Sequence, residues 1–121
     1  MLHQIVKAES RSYQISKAIE WLKNNFFRPF SVNKLAAHSG MSVSAFYTHF
    51  RLVTAMTPLQ FQKKLRLNEA RRLMLIESLD ATATAFKVGY ESPSQFSREY
   101  RRFFGESPLR DIKILRETEQ G

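Results

Sequence analysis

Apolar residues recur along this chain at the three- and four-residue spacing of helices, and short clusters of breakers separate the stripes. Ile15, Ile19, Leu22 and Phe26 fall at i, i+4, i+7 and i+11, which places one apolar stripe on a first helix of about residues 13–26. Arg28-Pro29-Phe30 ends it, because the residue before a proline is pushed out of the helical region. Ser31 suits the N-cap of a short second helix that carries Val32, Leu35 and Ala36 and closes near Ser39-Gly40. A third helix starts near Ser42 and is expected to bury Phe46, Phe50 and Val53. Thr57-Pro58 then restarts the chain, since proline at the first helical position gives up an N–H that would be unpaired anyway. The fourth helix runs to about Ile76, with Leu65, Ala70 and Leu73 among its apolar positions. Over residues 58–76 it would be roughly 28 Å long.

Asp80 can cap a fifth helix of about residues 81–88 that ends at Gly89. Ser92 caps a sixth, with Pro93 at its first position and Phe96, Tyr100, Phe103 and Phe104 expected to face inward. Ser107-Pro108 caps a short seventh, and the tail from about Arg116 is expected to fray. Residues 1–10 carry no periodicity. No strand-like alternation exceeds a few residues, so the predicted fold class is all-α, with seven helices. The predicted organisation is an N-terminal extension or residual linker (1–12), a first lobe (13–56), a central linker helix (57–77), a second lobe (78–115) and a frayed tail (116–121).

The two lobes repeat each other at an interval of about fifty residues. Gly40 matches Gly89, Phe46 matches Phe96, Phe50 matches Tyr100, and Thr57-Pro58 matches Ser107-Pro108. The register slips by one residue in the turn, where Glu91 reads as an insertion. Each copy reads as a helix, a tight turn and a second helix, the arrangement that sets one helix into a DNA groove.

Composition sharpens this. Of 121 residues, 19 are Lys or Arg and 11 are Asp or Glu, a formal net charge of +8. That favours a polyanionic partner, which charge alone leaves as DNA, RNA or an anionic membrane surface, against the plainer reading of an inert basic surface. There is no cysteine, which excludes disulfides and thiolate zinc sites. No apolar run approaches the ~20 residues of a spanning helix, and no signal-peptide pattern opens the chain, so a soluble intracellular protein is expected. His3, His38 and His49 share no ligand spacing, so no metal site and no cofactor are expected. No Ser/His/Asp grouping, phosphate-binding glycine loop or paired carboxylates point to an enzyme.

The most specific stretch is Phe86-Lys87-Val88-Gly89-Tyr90-Glu91-Ser92-Pro93-Ser94-Gln95-Phe96-Ser97-Arg98-Glu99-Tyr100-Arg101-Arg102-Phe103-Phe104-Gly105, followed by Ser107-Pro108. With it, residues from about Ile15 to Ile112 resemble the DNA-binding domain of AraC/XylS-type transcriptional regulators. The resemblance implies two helix-turn-helix lobes joined by a long helix, with both recognition helices in the major groove. It also implies a double-stranded DNA partner, recruitment of RNA polymerase, and a cytoplasmic bacterial protein that sits on the nucleoid while bound to DNA. Family members are commonly longer, so the chain is either a stand-alone member or, the favoured expectation, a piece of a larger regulator that can dimerise through a domain outside it. Two departures stand out. Ala81 and Thr84 occupy positions that usually carry bulky aliphatics, which predicts loose packing of the fifth helix. Ala55 stands where Gly105 stands in the second copy: either it takes a left-handed conformation, which costs alanine roughly 1 kcal/mol, or the local turn differs.

The face of the third helix opposite its core carries Ser44, Tyr47, Thr48 and Arg51, at i, i+3, i+4 and i+7. Such groups can meet base edges and the thymine methyl, and the arginine can take guanine or a phosphate. The sixth helix repeats this with Ser94, Ser97, Arg98 and Arg101, and Gln95 stands beside them. Because recognition helices read bases through their N-terminal halves, Ser94, Gln95, Ser97 and Arg98 are assigned to bases and Arg101 and Arg102 to phosphates. Glu99 is assigned to an intramolecular or solvated role. Helix N-termini suit phosphate oxygens, and the resemblance selects those at Ser31 and Ser107. Lys63, Lys64, Arg66, Arg71 and Arg72 make the central helix basic, as phosphate contacts or as the solvated face of a spacer. Trp21 and the phenylalanines are read as core. A nonspecific nucleic-acid binder and a helical protein-interaction module are the competing classes.

Overall fold

The structure is a computed structural model that describes the backbone of residues 2–120 and the side chains of residues 10–119. Among the described residues there are seven helices and no strand: α1 (Leu2–Asn25), α2 (Val32–His38), α3 (Val43–Thr54), α4 (Pro58–Ile76), α5 (Ala81–Lys87), α6 (Pro93–Phe104) and α7 (Pro108–Gln120). They divide into two compact units, one up to Lys63 and one from Lys64 onward. No helix is long and apolar enough to cross a membrane, and no cluster of metal-ligating side chains occurs among the described residues.

Unit 1 packs α1 and α2 against α3. Its core is Ile15, Ala18 and Leu22 from α1, Leu35 and Ala36 from α2, and Phe46 and Phe50 from α3. Phe50 meets Phe61 edge-on at 5.6 Å between ring centroids, which fastens the start of α4. The buried Gln62 side chain donates to the carbonyls of Phe26 (3.3 Å) and Arg28 (3.0 Å). It thereby satisfies backbone oxygens freed where α1 ends. Arg11 donates to Nε2 of His49, tying α1 to α3. The expected start of the first helix near residue 13 is corrected: the helix begins at Leu2. Residues 2–12 contain no glycine or proline and are rich in helix-formers, so the helix propagates even though no apolar stripe marks them.

Unit 2 buries Leu67, Ala70, Leu73 and Met74 of α4 with Ala85, Val88 and Tyr90, Phe96 and Tyr100 of α6, and Ile112 of α7. α4 closes with Ser78 in the left-handed region (φ 56°), and the Leu79 N–H bonds back to the Leu73 carbonyl at 3.2 Å. Arg116 adds a second closure, donating to the Met74 carbonyl at 3.0 Å and to Ser78 Oγ at 3.3 Å. α7 is helical to Gln120, through the segment from Arg116 that the sequence assigns to a tail. A charged residue that reads as tail is the anchor of a helix.

Five further expectations fail in the same way. Val53 (53%) and Phe103 (47%) are exposed rather than buried, as are Trp21, Phe27 and Phe86. Val53 and Phe103 occupy matching positions in the last turns of α3 and α6, on the outer side of a turn whose neighbours Thr54 and Phe104 are half-buried.

Candidate nucleic-acid interface

The two turns that set α3 and α6 are built alike. In the first, the Gly40 N–H bonds to the Ala37 carbonyl (3.0 Å) and the Met41 N–H to that of Ala36 (3.0 Å). In the second, the Gly89 N–H bonds to Phe86 (3.1 Å) and the Tyr90 N–H to Ala85 (2.9 Å). Gly40 (φ 70°) and Gly89 (φ 107°) hold the left-handed backbone that lets the chain reverse, which a side chain resists. Past the turn the copies differ by the exposed Glu91, as the repeat predicted.

Each second helix then starts on a serine cap. Ser42 Oγ accepts from the Ala45 N–H (3.2 Å) and Ser92 Oγ from the Gln95 N–H (3.1 Å), and Pro93 follows at the first helical position. Phe46 and Phe50 fix the inner side of α3; Phe96 and Tyr100, fully buried and 5.6 Å apart between ring centroids, fix that of α6. At the far ends, Ala55 (φ 62°) and Gly105 (φ 88°) both adopt the left-handed cap. The strained alanine anticipated from the repeat is therefore present.

This framework leaves Ser44, Thr48 and Arg51 of α3 exposed and Tyr47 half-buried. Thr48 Oγ1 donates to the Ser44 carbonyl at 3.1 Å, so its hydroxyl is engaged along the helix. On α6, Ser94, Gln95, Ser97, Arg98, Arg101 and Arg102 are all exposed. Ser31 and Ser107 cap α2 and α7, accepting from the N–H groups of Lys34 (3.3 Å) and Arg110 (3.4 Å). Their hydroxyls serve the helix ends. Glu99 is half-buried beside Arg66 and Tyr90, the intramolecular role expected of it.

The cations of the two regions are disposed differently. On α4, Arg71 makes a bidentate pair with Asp111 (2.8 and 2.7 Å) and lies 4.0 Å from the Phe104 ring centroid. Arg72 pairs with Glu69 and with Glu77, at 3.0 Å from the latter, and Arg66 lies 5.5 Å from the Tyr90 ring centroid. These arginines are occupied within the chain, which favours the spacer reading for that part of the helix. The side chains of Arg98, Arg101 and Arg102 make no ion pair or hydrogen bond among the described residues, and neither does that of Arg51.

The sequence did not reveal what holds α6 in place. Asp111, only 5% exposed, accepts from Arg71 and from the Tyr100 hydroxyl. Burial pushes its carboxyl upward, but the Arg71 and Tyr100 hydrogen bonds outweigh this and hold it below the usual carboxylate range. The only sign in the sequence was an acid set one place before the core residue Ile112.

Helix, glycine turn and capped helix, with the outer face of the second helix open, define a helix-turn-helix protein, here with the unit twice in one chain. Residues 35–113 match the family model described as helix-turn-helix domain. The chain belongs to the AraC-type helix-turn-helix family. It is 27% identical over 112 residues to the HTH-type transcriptional activator RhaS of Klebsiella pneumoniae (strain 342), covering 93% of this chain and 40% of that protein. To RhaS of Escherichia fergusonii it is 29% identical over 110 residues, covering 91% and 39%. The chain thus spans about two fifths of the length of these curated relatives. Among solved structures, the DNA-binding domain of AdpA, a global transcriptional factor, in complex with a target DNA superposes with a TM-score of 0.79 at 29% identity, covering 88% of this chain and 97% of that one. A probable AraC family transcriptional regulator from Rhodopseudomonas palustris CGA009 gives 0.73 at 28%, covering 84% and 96%.

Proposed function

We propose that this chain reads double-stranded DNA in a sequence-specific manner and serves transcription regulation, taking successive major-groove segments with α3 and α6. The observation that carries the reading is the outer face of α6, where three arginines stand exposed without an internal partner on a chain of net charge +8. A stable fold gains little from such a face, whereas phosphates and guanine edges match it. The relatives, transcriptional activators and a domain bound to target DNA, support the same class.

Ser44, Tyr47, Thr48 and Arg51 contact bases from α3, and Ser94, Gln95, Ser97 and Arg98 do so from α6. Arg101 and Arg102 bind phosphates. The helix starts at Ser31 and Ser107 present backbone N–H groups to further phosphates, their hydroxyls being engaged as caps. The protein acts without catalysis, in the cytoplasm at the nucleoid, alongside RNA polymerase, and any dimerisation uses a domain outside this chain.

Selection from random duplexes followed by footprinting of the winner tests this. The expected result is one enriched, asymmetric site near twenty base pairs, about two turns of DNA. A pool that binds but enriches no motif would replace the reading with nonspecific nucleic-acid binding.

A further inference from the structure

Unit 1 contains a second candidate site. A groove of about 1020 Å³ opens between α1, the loop after it and α2. That volume is of the size that small-molecule sites occupy. Three aromatic side chains line it, Tyr13, Trp21 and Phe30, with Trp21 and Phe30 edge-on at 6.4 Å between centroids. Three cations line it as well, one from each wall: Lys17 of α1, Arg28 of the loop and Lys34 of α2. No carboxylate is among the lining residues, and none of the three cations forms an ion pair among the described residues. Lys17 instead lies 4.7 Å from the Tyr13 ring centroid. The exposure of Trp21, which the core does not explain, falls at this groove.

Aromatic side chains and cations that lack counter-charges among the described residues, in one concave site, select a ligand with both a flat aromatic part and concentrated negative charge. A lone carboxylate would leave most of the positive charge unanswered. A phosphate group carries nearly two negative charges at neutral pH and offers three acceptor oxygens. Aromatic faces stack nucleobases with little regard to base identity. We infer that this groove binds a small nucleoside phosphate. Its lining reaches Ser39 and Gly40, the turn that leads into α3, so an occupant touches the segment that positions one reading helix.

Trp21 is the only tryptophan in the chain and is a built-in reporter. The experiment is a fluorescence titration of the full chain with AMP, adenosine and inorganic phosphate, repeated on a Lys17→Ala/Lys34→Ala double variant. Both lysines are exposed on helices, so far-UV circular dichroism is expected to be unchanged in the variant. AMP should give a saturable change, at least tenfold tighter than adenosine, with no saturable response to phosphate alone, and the double variant should weaken AMP about tenfold. No saturable AMP response overturns the proposal. Equal affinity for adenosine removes the role of the cations, and an equal response to phosphate removes that of the rings. Stoichiometric displacement of AMP by a duplex from the selection experiment would assign the groove to DNA contact and overturn it as a separate site. The AMP, adenosine and phosphate titrations do not bear on whether α6 reads bases, whereas displacement by a duplex bears on the α2 start at Ser31, which lines this groove and is assigned above to a DNA phosphate.

Discussion

At the scale of single residues, the repeat provides its own controls. Ala55 and Gly105 occupy one structural position with the same left-handed cap, yet only glycine adopts it without strain. Ala55→Gly should therefore stabilise unit 1 by about 1 kcal/mol, raising the midpoint of urea unfolding without changing its slope. A Cβ at Gly105 would meet nothing within 4 Å, so Gly105→Ala tests the backbone effect alone and should destabilise by about the same amount. Thr84 shows a different fault. It is fully buried and its hydroxyl has no hydrogen-bond partner among the described residues, at a position anticipated as loosely packed. Thr84→Val keeps the shape and removes the unpaired group, and should raise stability by about 1 kcal/mol in thermal unfolding. Asp111 carries the pH dependence. Its folded carboxyl titrates below its unfolded value of about 3.9. Its contribution is thus complete above that value and is lost as pH falls through the folded one. Asp111→Asn should destabilise by about 2 kcal/mol at neutral pH and flatten the acid limb of the stability profile, a difference that vanishes if the carboxylate is not the group being titrated.

At the scale of elements, legibility followed the physics of each signal. The seven helices, their caps at Ser31, Asp80, Ser92 and Ser107, and the one-residue slip at Glu91 were readable because apolar spacing, breakers and caps are local in sequence. Positions whose environment depends on distant residues were not. Val53 and Phe103 continue their helices' apolar pattern but stand about half exposed. Arg116 reads as solvated tail because its partners, Met74 and Ser78, lie some forty residues earlier in the chain. The same distance hid the pairing of Arg71 with Asp111. In the first unit the position matching Asp111 is Phe61, so an aromatic contact closes one lobe and a charged network the other. The outer faces of α3 and α6 were legible in the end because exposure is what remains once a helix's buried side is fixed. Arg116→Ala tests the element-level account. Losing the two hydrogen bonds should loosen the last turns of α7, seen as faster amide exchange from about residue 113 onward. Exchange in α6 should not change, because Asp111 and Tyr100 hold it independently.

For the molecule as a whole, charge and shape divide the work of binding. Three α4 arginines are engaged internally, so the +8 excess does not act as a uniform coat. The uncommitted charge of α6 lies in two places along its axis: Arg98 in the N-terminal half, near Ser94 and Gln95, and Arg101 and Arg102 in the last turn. A recognition helix enters the groove by its N-terminal half, which sends the first arginine toward base edges and the last two toward the backbone. These destinations have different thermodynamic signatures. A phosphate contact releases condensed counterions, and each one lost makes the slope of log K against log salt shallower by about 0.9. A bidentate base contact is worth about 1–3 kcal/mol of discrimination at one base pair. Arg98→Ala should therefore relax preference at a single position of the selected site. Arg102→Ala should weaken selected and random duplexes by the same factor and flatten the salt slope by about one unit. Affinity titrations of both variants on both duplexes, over a salt series, measure all four quantities. If Arg98→Ala weakens every sequence equally, or Arg102→Ala alters base preference, then α6 does not enter the groove by its N-terminal half, and the division between base-reading and phosphate-binding arginines is wrong even if DNA is the ligand.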